Sequence, residues 1–142
     1  MSSSLSNKSL TPYLTKKYGK IVSKLGSGTY GQVYLYEGSN GKVAIKEMSF
    51  LRMSTISEVA IMKQLHLRYH PNIIQYMDYD VSSDLTSLFL VIEYAPGGDL
   101  YHNVENNEQI EYNTIVKYTY QILSGLAYIH SLGIIHADLT PL

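Results

Sequence analysis

Gly26-Ser27-Gly28-Thr29-Tyr30-Gly31-Gln32-Val33 reads as G-x-G-x-x-G-x-V, and the interpretation of the whole chain turns on what this stretch becomes. Glycine permits positive φ and close backbone approach, so such a turn can fold over an anion and offer it N–H groups. Two fingerprints share these glycines. A dinucleotide-binding turn runs directly into a helix, with an acidic residue about 20 positions later. Here the glycines run into Gln32-Val33-Tyr34-Leu35-Tyr36, whose β-branched and aromatic content predicts a strand. A plain hairpin turn would also explain the glycines alone. Strand, glycines, strand and then Val43-Ala44-Ile45-Lys46 is a more specific pattern.

Working outward, Tyr18–Leu25 and Gln32–Glu37 flank the turn as strands. Gly38-Ser39-Asn40-Gly41 supplies an Asn-Gly turn signal, and Lys42–Met48 completes a three-stranded antiparallel meander. Alternation on that third strand places Ala44 and Lys46 on one face and Val43 and Ile45 on the other. Ser54–Leu67 has helical spacing, with Val59, Met62 and Leu65 in one stripe. Ile73–Tyr79 and Leu88–Glu93 read as two further strands around a polar loop, Asp80–Ser87. Pro96-Gly97-Gly98-Asp99-Leu100 then breaks the strand pattern and opens a short helix. Asn113–Ser131 is a longer helix, with Ile115, Tyr118, Ile122, Leu126 and Ile129 in one stripe and Gly133 as its stop. Met1–Lys17, serine-rich and polar, reads as a flexible leader.

Composition bounds the function. At 142 residues the chain is at most one ordinary domain. Eleven Lys and Arg against twelve Asp and Glu give a formal charge of −1, so there is no electrostatic footprint for nucleic acid or an acidic membrane. The absence of cysteine excludes disulfides and thiolate metal sites. No apolar run approaches the ~20 residues of a membrane span, and Met1–Thr11 lacks the apolar core of a signal peptide. The default is a soluble, intracellular chain, cytoplasmic by expectation. Fourteen tyrosines against two phenylalanines and no tryptophan is an unusual aromatic balance, to which composition assigns no function.

The glycine turn, Val43-Ala44-Ile45-Lys46, Glu58-Val59-Ala60-Ile61-Met62-Lys63-Gln64-Leu65, Leu88-Phe89-Leu90-Val91-Ile92-Glu93-Tyr94 and His136-Ala137-Asp138-Leu139 stand in an order that resembles the protein kinase family, nearest its serine/threonine class. The resemblance covers Tyr18–Pro141. It implies an α+β fold: an N-terminal lobe over 18–93, with a five-stranded antiparallel sheet and one helix, then a hinge and the first helices of an incomplete second lobe over 94–142. It also implies an ATP site. Gly26, Ser27, Gly28, Thr29, Tyr30 and Gly31 would form its phosphate loop, with Val33, Ala44 and Ile92 around the adenine. Backbone groups of Glu93 and Ala95 would read the adenine edge, and Asp99 would reach the ribose. Lys46 would meet the phosphates, Glu58 would hold Lys46, and Asp138 is the candidate catalytic base. Two of these residues have a second reading. Thr55-Ile56-Ser57-Glu58 is also a capping box, and Asp99 is equally suited to cap the helix that follows it.

Three features depart from the family pattern. Ala137 replaces the arginine of H-R-D, and Thr140 stands where serine/threonine kinases usually carry a lysine. The family's metal-binding asparagine and D-F-G aspartate are not among the 142 residues. The expectation is therefore weak ATP binding, no metal ligands and no independent phosphoryl transfer. The alternative is a non-catalytic kinase-like module acting through a partner. The 113–131 stripe, without the helices that would cover it, predicts self-association or a protein partner.

Overall fold

The computed structural model describes residues 10–29, 31–105 and 109–141. They fall into two compact units, one within Met1–Gln64 and Gln75–Tyr94, the other within Leu65–Ile74 and Ala95–Leu142.

The first unit is a five-stranded sheet with two helices. In chain order it runs α1 (Pro12–Tyr18), β1 (Lys20–Gly28), β2 (Gly31–Gly38), β3 (Gly41–Ser49), α2 (Met53–His66), β4 (Tyr76–Val81) and β5 (Ser87–Glu93), the last residues of α2 belonging to the second unit. The strands lie in the order β1-β2-β3-β5-β4, every neighbouring pair antiparallel. This is the architecture the kinase resemblance implies. β4 starts at Tyr76 and not at Ile73, because Pro71-Asn72-Ile73 turns back and the Ile73 N–H bonds to the His70 carbonyl.

Alternation on the central strand β3 divides the core. Val43 and Ile45 join Tyr34, Tyr36, Phe89 and Val91 in one buried cluster. Met48 joins Leu88 and Leu90 in another, on which Val59 and Met62 of α2 pack. Both faces are therefore covered. The tyrosine excess has part of its explanation here. Tyr18, Tyr34 and Tyr36 are core residues, and the Tyr34 hydroxyl donates to Gln32 Oε1 at 2.6 Å. A ring buried with its polar tip at the edge serves as phenylalanine would, with an added anchor. Burial pushes the Tyr36 hydroxyl up to about 12, with Glu47 and Tyr34 adding to the shift.

The flexible leader expected over residues 1–17 is corrected by α1. Residues 1–9 lie outside the described residues, but Leu10 and the helix after it pack on the sheet. Thr11 caps the helix by accepting the Leu14 N–H, Pro12 occupies its first turn, and Lys16 and Lys17 its last. Gly19 stops it at φ +78; a Cβ there would lie 2.2 Å from the Glu37 carbonyl oxygen. Leu10, Leu14 and Tyr18, four residues apart, form the apolar stripe that enters the first cluster. Polar contacts to β4 fix the helix in place. The Thr11 hydroxyl donates to the Asp80 carboxylate. Asp78 Oδ2 accepts from Lys17 Nζ at 2.7 Å, from the Tyr13 hydroxyl at 2.8 Å and from the Tyr18 hydroxyl at 3.3 Å.

The second unit holds α3 (Leu100–Glu105), α4 (Tyr112–Ser131) and the 65–74 segment. Within this unit the 65–74 segment contacts α4. The His70 ring stacks on Tyr128, with centroids 4.8 Å apart, and the Tyr128 hydroxyl donates to the Arg68 carbonyl at 2.6 Å. A Cβ on Gly125 would lie 3.0 Å from the Asn72 carbonyl oxygen, so glycine lets the loop approach the helix. α4 ends in a Schellman motif: Ile134 N–H bonds to the Ile129 carbonyl, Gly133 N–H to that of His130, and Gly133 has φ +72. Of the expected stripe only Ile129 is buried. Ile115 is 49% exposed and Ile122 37%.

Two outcomes are expected. Leu14 is fully buried, so Leu14→Ala should lower unfolding stability by about 2–5 kcal/mol in urea titrations. Burial pushes the Asp78 carboxyl up, but hydrogen bonds from Lys17, Tyr13 and the Tyr79 N–H outweigh it and hold the group below its ordinary value. A depressed aspartate stabilises the fold above the ordinary pKa of about 3.9, and this is lost as pH falls through the folded value. Hydrogen exchange should show α1 losing protection below about pH 4, before β3 and β5 do, with Asp78→Asn removing that step.

Candidate functional site

Gly26 and Gly28 lie in β1, and Gly28 pairs with Gly31, so the glycine turn is a hairpin, with Thr29 following its first strand. Tyr30 lies outside the described residues. The three glycines differ in what the fold asks of them. Gly31 has φ +140, and a Cβ there would meet the Glu47 carbonyl oxygen at 2.2 Å, so folding alone requires glycine. Around Gly26 and Gly28 a Cβ would meet nothing within 4 Å, and neither has positive φ. The packing of the chain gives no reason for glycine at these two positions. What glycine provides there is bare backbone facing open space.

Strand register then gathers the next residues. Val33 pairs with Lys46, Leu35 with Ala44, Ala44 with Ile92, and Lys46 with Leu90. Directly paired residues share a sheet face, so Val33, Ala44, Lys46 and Ile92 lie together. Leu35 and Leu90, both buried, belong to the same surface. Sequence reasoning passed over them, although alternation from Val33 and Ile92 was the signal that could have found them. Small Ala44 leaves the middle of this surface shallow.

Lys46 Nζ lies 2.6 Å from Glu58 Oε1. The lysine side chain is 21% exposed, so it is held against the protein and not extended into solvent. Val59 and Met62 fix α2 on the sheet through the second cluster, which brings Glu58, one residue before Val59, to the lysine. The capping alternative for Glu58 does not match the helix. α2 begins at Met53, Thr55 lies inside it and is buried, and the Thr55 N–H bonds to the Arg52 carbonyl. A half-exposed pair of this kind stabilises a fold by about 1 kcal/mol at most. Its consequence is geometric: it fixes where the ammonium sits.

The remaining residues lie at the end of the sheet and in the second unit. Glu93 ends β5, and its N–H bonds to the Gln75 carbonyl at 3.0 Å. The Ala95 carbonyl accepts the Gly98 N–H across a turn in which Gly98 has φ +69. Asp99 behaves as its capping alternative describes. Its Oδ1 accepts the His102 N–H at 2.9 Å, and both oxygens lie 2.8 Å from His102 Nδ1. The His102 N–H, then the His102 ring, hold the Asp99 carboxyl below its usual value. Asp138 is exposed; its N–H bonds to His136 Nδ1 at 3.3 Å, and Ala137 before it has φ +61. The Pro141 carbonyl accepts the Tyr101 N–H, which ties this segment to α3. Among the described residues, no three His, Cys, Asp or Glu side chains gather where a metal ion could be held. No helix among them is long and apolar enough to cross a membrane.

Because the Lys46–Glu58 contact positions more than it stabilises, Glu58→Gln should leave unfolding stability within about 1 kcal/mol of the parent. The same change should release the lysine, seen as a shift of the Lys46 Nζ resonance.

Comparison with known proteins accords with this geometry. The chain is 37% identical over 136 residues to mitogen-activated protein kinase kinase kinase 3 of Arabidopsis thaliana, covering 89% of this chain and 21% of that protein. It is 40% identical over 135 residues to calcium-dependent protein kinase 5 of Plasmodium berghei, covering 90% and 23%. Against Aurora/IPL1-related protein kinase 2 of Caenorhabditis elegans it is 35% identical over 129 residues, covering 86% and 41%. The chain thus spans between about a fifth and two fifths of the length of these curated relatives. The protein kinase domain pattern matches residues 20–142, which takes in the hairpin, Lys46, Glu58 and Asp138, and the chain accordingly belongs to the protein kinase family.

Proposed function

We propose that the chain binds ATP weakly at the glycine hairpin, as a serine/threonine-kinase-like module, and does not transfer phosphate unaided. The observation that carries this reading is the combination of bare backbone at Gly26 and Gly28 with an ammonium fixed on the adjoining sheet face by Glu58. In it, the backbone N–H groups of the hairpin and Lys46 bind the phosphates, and Val33, Ala44 and Ile92 take the adenine. Asp138 is the group that would receive the proton of an acceptor hydroxyl. Ala95 remains the candidate at the hinge, beside Glu93. Asp99 contributes to a ribose site only if it releases His102.

Phosphoryl transfer rests on positioning and on charge neutralisation, for which the family uses magnesium. The asparagine and the D-F-G aspartate that hold the metal in the family are not among these residues. Among the described residues, no acidic side chains gather to hold a magnesium ion. A positioned base typically contributes 10²–10⁴-fold, and only once the reacting groups are aligned. Without such ligands, Asp138 alone would not complete the transfer.

A second reading has its own observation. Ile115, Val116, Tyr120 and Leu123 are between 49% and 72% exposed on α4, which favours a module that acts by binding a protein partner or a second copy.

Calorimetry separates these readings. ATP should bind weakly and without strong magnesium dependence, and Lys46→Ala should weaken it by about 10-fold or more, the loss of a charge-assisted hydrogen bond. A radiolabelled-phosphate assay should give no signal for the parent, Lys46→Ala or Asp138→Asn. Turnover in the parent that both substitutions abolish would refute the inactive reading. An absence of ATP binding together with dimerisation in sedimentation would favour the second.

A further inference from the structure

Arg52 stands immediately before α2, at its N-cap position. Residues there are usually Ser, Thr, Asp or Asn, and a cation at a helix N-terminus opposes the macrodipole. No acidic residue in the first turn of α2 offsets it. A residue that breaks a local rule is usually compensated elsewhere in the fold. In this chain the compensation is at the glycine hairpin: Arg52 Nη1 donates to the Thr29 carbonyl oxygen at 2.8 Å.

The backbone beneath that guanidinium is well held. Only Phe50, Leu51 and Arg52 separate β3 from α2. Phe50 packs on the second cluster, and its N–H bonds to the Thr86 carbonyl at 2.9 Å. The Arg52 N–H bonds to the Ser49 carbonyl, and its own carbonyl accepts the Thr55 N–H. The reach is short because the connection is short, with twelve positions from Lys46 to Glu58.

We infer that Arg52 is a positioning residue that clamps the glycine hairpin to the N-terminus of α2, an inference that rests on the hairpin being the nucleotide phosphate site. Arg52 and Glu58 are six residues apart, so about 9 Å of one helix separates them. The first holds the hairpin at Thr29 and the second holds Lys46. One rigid element therefore sets both phosphate-binding parts, and a tilt of α2 moves them together. The clamp also engages the Thr29 carbonyl. A carbonyl oxygen held by a guanidinium is not free to face an anion, which leaves the role of meeting phosphate to N–H groups. Guanidinium suits the task, since its planar set of donors loses less freedom per bond than a flexible ammonium.

The test uses the full chain, because Arg52 is exposed and its replacement leaves the core intact. Hydrogen exchange without nucleotide is measured for the parent, Arg52→Ala and Arg52→Lys, with peptides over residues 20–36 and over β5 as the internal control. Arg52→Ala should accelerate exchange in the hairpin about 5-fold, the loss of one hydrogen bond, and leave β5 unchanged. Arg52→Lys, which keeps a donor and the charge, should return to within about 2-fold of the parent. A fluorescent ATP analogue should then show the same order, with Kd raised about 5-fold by Arg52→Ala and largely recovered by Arg52→Lys. Unchanged hairpin exchange in Arg52→Ala overturns the clamp. Faster exchange with unchanged Kd overturns the positioning role. If no chain binds the analogue, the parent included, the nucleotide reading and the positioning role both fall, while the exchange result still decides the clamp.

Discussion

Everything in the first unit depends on β3 being a central strand with both faces covered. A strand has only two sides, so each residue of Val43-Ala44-Ile45-Lys46 goes to one face or the other, and a register slip of one would exchange them. Antiparallel pairing to β2 on one side and β5 on the other holds that register at seven residue pairs on each. The lysine reaches its face by this constraint alone. Glu58 has only to arrive from a helix whose own position is set by Val59 and Met62. The ion pair is thus a product of the packing more than a cause of it.

Much of this was legible in the sequence because the signals were periodic and reinforced one another. Alternation around Ala44 and Lys46, the Asn-Gly turn at Asn40-Gly41 and the stripe of α4 each correspond to an element at nearly the expected bounds. α1 was hidden for a compositional reason. Its stripe is three residues, Leu10, Leu14 and Tyr18, beside a serine-rich segment, and a seven-residue helix carries little periodic signal. The local chemistry was nevertheless present, since Thr11-Pro12 is a cap followed by a first-turn proline. What a sequence cannot display is the surface the stripe will meet, here assembled from β2, β3 and β5.

The two ambiguous acidic residues teach a related lesson. Glu58 and Asp99 each fitted a capping motif and a functional motif. Motif spacing leaves the two readings equal, because capping and ligand contact ask for the same side chain within a turn of the same place. Where the helix begins decides between them. α2 starts at Met53, two residues before Thr55, which leaves Glu58 clear of the terminus and able to reach across to β3. α3 starts at Leu100, directly after Asp99, which makes Asp99 its cap. Helix starts are among the least secure features of a sequence reading, and here a one-turn difference changes the chemistry assigned to a carboxylate.

The helix on the outer sheet face also bears on where this domain can be cut. The kinase pattern begins at residue 20, and a fragment designed on that boundary would discard α1 whole. Tyr34, Tyr36, Val43, Ile45, Phe89 and Val91 would lose their cover, leaving a wide apolar sheet surface of the kind that drives aggregation. Asp78 and Asp80 would lose the partners that α1 supplies. For expression, labelling or fusion, a fragment of this fold should therefore include Leu10, ten residues before the edge the family pattern suggests.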